Sequence, residues 1–116
     1  MDWINSVREE LKQHVEDMIS DGDIDEHNFE EAHYHAFNES RYISYDSNAK
    51  DWMKKHGIDA FDAISYCIEY EKSEYGEVTQ NYRSAEEVVN TLVYIIGYDV
   101  IPHADTYEDF VAEIKQ

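Results

Sequence analysis

The sequence has few of the residues that interrupt or cross-link a chain. Among 116 residues there are one proline, one cysteine and four glycines. The single cysteine, Cys67, excludes an intramolecular disulfide framework and fits a reducing compartment. No apolar run approaches the length of a bilayer span, and Met1-Asp2-Trp3 does not open a signal peptide. We therefore expect a cytoplasmic protein without a membrane segment.

Basic residues are also scarce. Nine Lys and Arg stand against 27 Asp and Glu, which gives a net charge of −18. This charge argues against direct binding to nucleic acid or an anionic membrane, and favours basic partner surfaces or cations. Hydrophobic residues make up 42% of the chain, enough for a real core, so wholesale disorder is not expected. The length predicts a single domain over residues 1–116.

Apolar residues recur at spacings of three and four along most of the chain, as in amphipathic helices. The first predicted helix covers 2–19, with Asp2 as its N-cap and Gly22 just beyond its end. A polar turn is expected at 20–27. A second helix follows to about residue 38, opened by a capping box of Asn28 and Glu31.

The middle of the chain gives a third and a fourth helix. The third spans 41–56 and ends at Gly57, although Tyr and Ile near its start leave an extended conformation open at 41–46. The fourth spans 59–75, with Asp59 as cap and Gly76 as terminator. Its predicted apolar face includes Phe61. Its predicted outer charges are Asp62, Glu69, Glu71 and Glu74.

The last third of the chain contains the most apolar predicted element. It begins at a capping box of Ser84 and Glu87, ends near Gly97, and is placed at the centre of the fold. Its β-branched content leaves a strand open as the alternative. A final helix begins at Thr106. The prediction is an all-α domain of five or six short helices, with residues 41–47 and 98–104 open between helix, strand and loop.

An acidic turn partly matches a calcium-binding loop. With Asp17 at position 1 of an EF-hand loop, Gly22 falls at the required position 6. Position 3 is Ile19, which has no side-chain oxygen, and position 12 is Asn28, where a bidentate Glu is needed. We expect an ordinary helix–helix turn and no specific metal site, and the turn's residual ion affinity stays open.

Histidine and cysteine spacing indicates neither a metal centre nor a catalytic nucleophile. His33 and His35 diverge by about 200° on a helix and cannot share a metal. His33 lies on the apolar face and is expected to be a hydrogen-bonded core residue, while Cys67 is expected to be a buried, inert thiol. The motifs CxxC, HExxH and GxSxG are absent. We therefore expect a protein that is not an enzyme and has no cofactor.

The charge distribution itself is the strongest signal. No Lys or Arg occurs between Lys12 and Arg41. Acids three or four residues apart on a helix lie about 5.4 Å apart along its axis, roughly a phosphate step. Duplex DNA carries one charge per about 1.7 Å, so eighteen net charges equal about 31 Å of duplex. The pattern is consistent with carboxylates held where a DNA-binding protein expects phosphates, and equally with a plain solvated acidic face.

Several segments share one layout with a known family. These are Leu11-Lys-Gln, the acidic turn, Phe29-Glu-Glu-Ala-His-Tyr-His-Ala, Gly57-Ile-Asp and Ser84-Ala-Glu-Glu-Val-Val. On these segments the chain resembles the phage Ocr-type anti-restriction proteins, which are DNA mimics. The resemblance implies an elongated all-α homodimer that occupies the DNA groove of type I restriction–modification enzymes inside an infected bacterial cell.

Two features depart from that family. The chain ends in Ile114-Lys-Gln without a strongly acidic tail, and Lys50, Lys54 and Lys55 interrupt the acidic strip. A different DNA-binding defence enzyme therefore stays open as the target.

The sequence thus predicts a non-enzymatic inhibitor that occupies the DNA-binding site of a bacterial defence enzyme. The alternative is an acidic adaptor that binds a basic protein surface outside any DNA site. The aromatic content, including Trp3, Trp52 and Phe110, exceeds what one small core needs and predicts a symmetric homodimer. The predicted phosphate-mimicking residues are Asp21, Asp23, Asp25, Glu26, Glu30, Glu31, Asp46, Asp51, Asp59, Asp62 and Glu69.

Overall fold

Six α-helices and one 3-10 turn form the described part of the chain, residues 2–116, in the computed structural model. No strand occurs in this range. The prediction of an all-α fold is confirmed, and the strand alternative for the fifth element is wrong. The helices are α1 (Asp2–Asp21), α2 (Ala32–Phe37, preceded by the 3-10 turn Phe29–Glu31), α3 (Asp46–Lys55), α4 (Ala60–Tyr75), α5 (Ala85–Val100) and α6 (Tyr107–Ile114).

Helix α5 occupies the centre, as predicted. It contacts α1, α2, α3 and α4, and α6 packs against α1. From α1, Val7, Leu11 and Val15 enter the core at a spacing of four, and all three are fully buried. From α5, the buried residues are Val88, Val89, Leu92, Val93, Ile95, Ile96 and Gly97.

The overall shape is moderately elongated. The radius of gyration is 14.6 Å, against about 13.4 Å for a compact chain of this length, and the principal extents are 39, 31 and 25 Å. The chain is therefore somewhat extended without being rod-like.

Local signals set most helix ends where they were predicted. Asp59, Ser84 and Thr106 each accept a hydrogen bond from the backbone N–H three residues on and so cap α4, α5 and α6. Gly22 follows α1 with φ +81°, the left-handed conformation that closes a Schellman motif. In this motif the Asp23 N–H donates to the Met18 carbonyl at 2.9 Å. The predicted cap at Asp2 lies outside the described side chains.

One predicted helix start is wrong, and the segment left open before the third helix is non-helical up to Tyr45. Asn28 does not cap a helix, because its side chain ties the preceding turn: its Oδ1 accepts from the Asp25 N–H and its Nδ2 donates to the Asp23 carbonyl. The second helix therefore starts as a 3-10 turn and becomes α-helical only at Ala32. The third helix starts at Asp46 rather than 41, after a non-helical segment that ends at Tyr45 with φ +74°.

Gly97 does not end the fifth helix. The helix continues to Val100, and Gly97 is buried inside it against the ring of Phe37. A Cβ at this position would lie 2.5 Å from Phe37 Cδ2, so the glycine allows close approach of α2 and α5. Its role is packing between helices, which a sequence signal for helix termination does not distinguish.

Some predicted surface and core positions are exchanged. Phe61, predicted to face inward, is 76% exposed, whereas Glu71, predicted to be an outer charge, is only 2% exposed. Trp3, Trp52 and Phe110 are all buried in the monomer. They fill the core of one chain, so they are not the surplus aromatic surface from which a dimer was predicted.

The packing of Gly97 against Phe37 predicts a coupled mutational effect. Gly97→Ala forces the Phe37 ring to shift, and overpacking of this kind costs about 1–3 kcal/mol, offset by about 1 kcal/mol of helix propensity. We expect a net loss of about 1 kcal/mol in the free energy of unfolding, measured by urea denaturation. In a Phe37→Leu background the same substitution should be neutral or stabilising. Equal costs in both backgrounds would contradict the proposed contact.

Candidate acidic interface

The acidic segment, residues 21–31, is a turn held by its own hydrogen bonds. The Asp25 carboxylate accepts from the His27 N–H at 2.8 Å and from the Asn28 N–H at 3.1 Å. Ile24 is fully buried and Phe29 is 9% exposed, so two apolar side chains anchor the segment to the core. The backbone is thus ordered before any partner arrives, and binding would not have to order it.

The carboxylates of the acidic segment lack strong counter-charges. Of its six acids all but the half-buried Asp25 are exposed. Within the described residues no Lys or Arg nitrogen lies within 4 Å of any of them; the only cationic neighbours are histidines, at Glu26 and Glu31. The segment therefore presents negative charge outward with little internal compensation.

The other five predicted phosphate-mimicking residues lie on two other elements. Asp46 and Asp51 belong to α3, Asp62 and Glu69 to α4, and Asp59 caps α4. Asp46 also binds the fold: it accepts from the Glu86 N–H and pairs with Lys50 at 3.3 Å, and these contacts lower the pKa of Asp46.

The structure does not bring all eleven residues into one cluster. Tyr66, in the middle of α4, packs against Trp3 at the start of α1, with ring centroids 5.8 Å apart. Helix α1 rises about 30 Å over its 20 residues, and the acidic segment follows its other end. The acids of α4 and those of the acidic segment therefore lie towards opposite ends of α1.

Two of the three lysines that interrupt the acidic sequence are used internally. Lys50 pairs with Asp46, and Lys55 Nζ lies 2.9 Å from Glu10 Oε1. Lys54 has no carboxylate within 4 Å in the described part of the chain. Both paired lysines are nevertheless exposed, and Lys50 neutralises Asp46, one of the predicted phosphate-mimicking residues, so the acidic strip stays interrupted on α3.

Glu10 has a structural role that the sequence did not predict. Its carboxylate accepts from Trp52 Nε1 at 2.6 Å, Tyr42 Oη at 2.8 Å and His56 Nε2 at 3.0 Å, as well as from Lys55. It thus joins α1 to α3 and to the loop before α3. The available signal was its position: Glu10 follows Val7 by three and is in phase with the apolar stripe of α1.

This environment keeps Glu10 ionised. Burial by itself raises the pKa, but the hydrogen bonds from Trp52, Lys55, Tyr42 and His56 outweigh it and lower the pKa of Glu10 to about 2. Burial of the ring and, after it, the hydrogen bond to Glu10 raise the pKa of Tyr42. The carboxylate is therefore a structural anion at every physiological pH.

Glu71 is a second buried carboxylate, and it orders the segment after α4. It accepts from Thr79 Oγ1 at 2.8 Å, from the Thr79 N–H at 3.3 Å and from Tyr82 Oη at 2.7 Å. Burial raises the pKa of Glu71, but these hydrogen bonds outweigh it, and the net shift is downward. Glu71 lies four residues after the buried Cys67 and so shares its helix face. The spacing alone therefore indicated that Glu71 is buried.

The predicted roles of Cys67 and His33 agree with the geometry. Cys67 is fully buried, and burial, with the nearby Glu71, raises the pKa of its thiol to about 12. It is an inert thiol. His33 donates from Nε2 to the Tyr94 carbonyl at 3.0 Å and packs against Tyr94, Tyr98 and Phe37. It is a half-buried, hydrogen-bonded residue at the edge of the core.

Residues 2–116 form neither a clustered metal site nor a membrane-spanning helix. Among them no group of three or more His, Cys, Asp and Glu side chains is arranged to hold a metal ion. No helix in that range is both long and apolar enough to cross a membrane.

Comparison with known proteins found no match: no family model, no curated protein and no solved structure is similar to this chain at a significant level.

The Glu10 contacts predict a pH-dependent stabilisation. Glu10→Gln removes the charge to which four donors point, and we expect a loss of about 2 kcal/mol in the free energy of unfolding at pH 7, allowing for partial exposure. Because the folded-state pKa is depressed, this contribution is complete above about pH 4.5 and is lost as the pH falls towards 2.

Urea unfolding of both proteins between pH 2 and pH 7 measures this effect. The exposed neighbour substitution Glu9→Gln is the matched control and should leave stability nearly unchanged. A Glu10→Gln deficit that is constant over the whole pH range would contradict the ionic origin of the effect.

Proposed function

We propose that this protein is a non-enzymatic DNA-mimic inhibitor that occupies the DNA-binding site of a bacterial defence enzyme, such as a type I restriction–modification enzyme. The observation that carries the proposal is the acidic segment: six acids on a hydrogen-bonded, core-anchored turn, without Lys or Arg within 4 Å in the described residues. The resemblance to the Ocr-type family supports the same function, and with it an anti-restriction role in the cytoplasm of an infected cell.

The magnitude of the charge suits this role. A net charge of −18 over the longest extent of 39 Å is one charge per about 2.2 Å, against one per about 1.7 Å for duplex DNA. Phosphate contacts position a DNA-binding protein without reading sequence, so a carboxylate surface can compete whatever sequence the target recognises.

The adaptor alternative differs from the mimic in one measurable respect. A mimic and duplex DNA exclude each other on the target, whereas an adaptor bound outside the DNA site allows both to bind. The two also differ in how binding energy is distributed. A mimic relies on many weak contacts, while an ordinary interface concentrates its energy in a few central residues.

The first functional prediction is competition. Increasing concentrations of the protein should displace labelled duplex DNA from a purified type I restriction–modification enzyme, as measured by fluorescence anisotropy, and the competition should weaken as salt rises. Formation of a ternary complex of enzyme, DNA and this protein would refute mimicry and favour the adaptor.

A charge-matched pair of variants tests the acidic segment in the same assay. One variant replaces Asp21, Asp23, Glu26, Glu30 and Glu31 by their amides and keeps Asp25, which binds the turn. The control replaces five exposed acids outside the predicted set: Glu9, Glu77, Asp105, Glu108 and Glu113. Both variants raise the net charge by five, and only the first should lose most of its inhibition. Equal losses would show that total charge, not this surface, determines binding.

A symmetric homodimer is part of the proposal. It now rests on exposed aromatic rings and no longer on the total aromatic content of the chain. Phe61 is 76% exposed on α4, and Tyr45 is 73% exposed. Large exposed rings are common at interfaces. Phe61 lies towards the end of α1 that is remote from the acidic segment, so a contact there brings fewer charges together. Asp59 and Asp62 would then border the interface.

Sedimentation equilibrium at micromolar concentration tests the dimer. We expect twice the protomer mass of 13.7 kDa, and a shift towards the protomer mass for Phe61→Ser. Tyr34→Ser, at a ring that is 50% exposed on α2, is the control and should stay dimeric. The protomer mass for the unaltered protein would refute the dimer.

A further inference from the structure

A tyrosine-lined cleft lies between α4, α5 and the segment that follows α4. Its volume is about 400 Å³, within the range of small-ligand sites. Tyr70, Tyr75 and Tyr94 line it, and Glu71 and Thr91 complete its wall. The rings of Tyr70 and Tyr75 are 6.4 Å apart at an interplanar angle of 85°, so they form a corner.

The cleft opens into a second hollow. Tyr75, Gln80, Thr91 and Tyr94 also line a neighbouring space of about 570 Å³. Among the described residues, the only basic side chain bordering that space is Arg41, and its guanidinium is already paired with Glu86. No basic side chain from residues 3–116 lines the tyrosine-lined cleft itself.

Glu71 gives the cleft an uncompensated negative charge. The carboxylate is 2% exposed, and its three hydrogen-bond partners, the Thr79 N–H, Thr79 Oγ1 and Tyr82 Oη, are all neutral. In the described residues no Lys, Arg or His nitrogen lies within 4 Å of it. A buried carboxylate is usually paired with a cation, so this site lacks a positive charge that its surroundings favour.

The surroundings also decide which kind of cation fits. Three donors already bind the Glu71 oxygens. The carboxylate would therefore attract a ligand mainly by its negative charge and less by accepting further hydrogen bonds. Tyrosine faces attract cations without hydrogen bonds, and aromatic cages of this kind recognise quaternary ammonium groups.

We propose that the tyrosine-lined cleft is a binding site for a small quaternary ammonium cation, with Tyr70, Tyr75 and Tyr94 as the aromatic walls and Glu71 as the fixed counter-charge. The site is separate from the acidic segment and does not depend on the DNA-mimic function. Its occupation requires no target enzyme, so it is tested on the isolated protein.

The probe is choline, with 3,3-dimethyl-1-butanol as its uncharged isostere. In a titration followed by heteronuclear NMR, choline chloride replaces sodium chloride at constant ionic strength. We expect saturable shifts at residues that line the cleft, such as Thr91 and Ile95, and at least about tenfold tighter binding of choline than of the isostere. Equal binding of both compounds, or shifts spread over residues 21–31 without saturation, would refute the site.

Substitutions at the walls locate the effect. Tyr75→Leu removes one ring that is 60% exposed, so the fold should persist while choline affinity falls about fivefold. Tyr45→Leu, at an exposed ring outside the cleft, is the control and should bind as the unaltered protein does. Glu71→Gln should reduce the preference for choline over the isostere. Unchanged choline affinity in Tyr75→Leu would overturn the proposal even where Glu71→Gln fails to fold.

Discussion

The burial of helix α5 is the constraint on which the rest of the structure depends. Its seven buried residues must be covered by other elements, and α1, α2, α3 and α4 all contact it. This arrangement fixes where each neighbouring helix can lie. It also explains the glycine at position 97, because the Phe37 ring of α2 packs against α5 where a side chain is missing.

Charge is then distributed around this core in two different ways. Glu10 and Glu71 are drawn inward and held ionised by hydrogen bonds, so each links a loop to a helix at low cost. Most of the other carboxylates stay outside, where their mutual repulsion is screened by solvent and salt. The acidic segment belongs to the second class, yet Ile24 is fully buried and anchors its backbone to the core. Order and exposed charge therefore coexist at the proposed interface.

The sequence predicted the helices better than their ends and the contacts between them. Apolar periodicity gave all six helices, and capping chemistry placed Asp59, Ser84 and Thr106 correctly, because both signals are local. Asn28 does not cap a helix as predicted, because its side chain binds the backbone of the preceding turn. Gly97 does not end a helix as predicted, because it packs against Phe37, which is distant in sequence. The inward carboxylates Glu10 and Glu71 were in phase with apolar stripes, but their donors come from other elements. The acidic segment was found because its signal is contiguous, whereas the tyrosine-lined cleft needs three elements together.

Burial of Cys67 has a practical consequence for following the dynamics of the chain. It is the only thiol, it has no exposed surface, and its pKa of about 12 leaves almost no thiolate at neutral pH. A thiol reagent therefore reacts only when α4 separates from its neighbours. The rate of labelling measures how often that packing opens, with a native side chain as the reporter and no foreign probe.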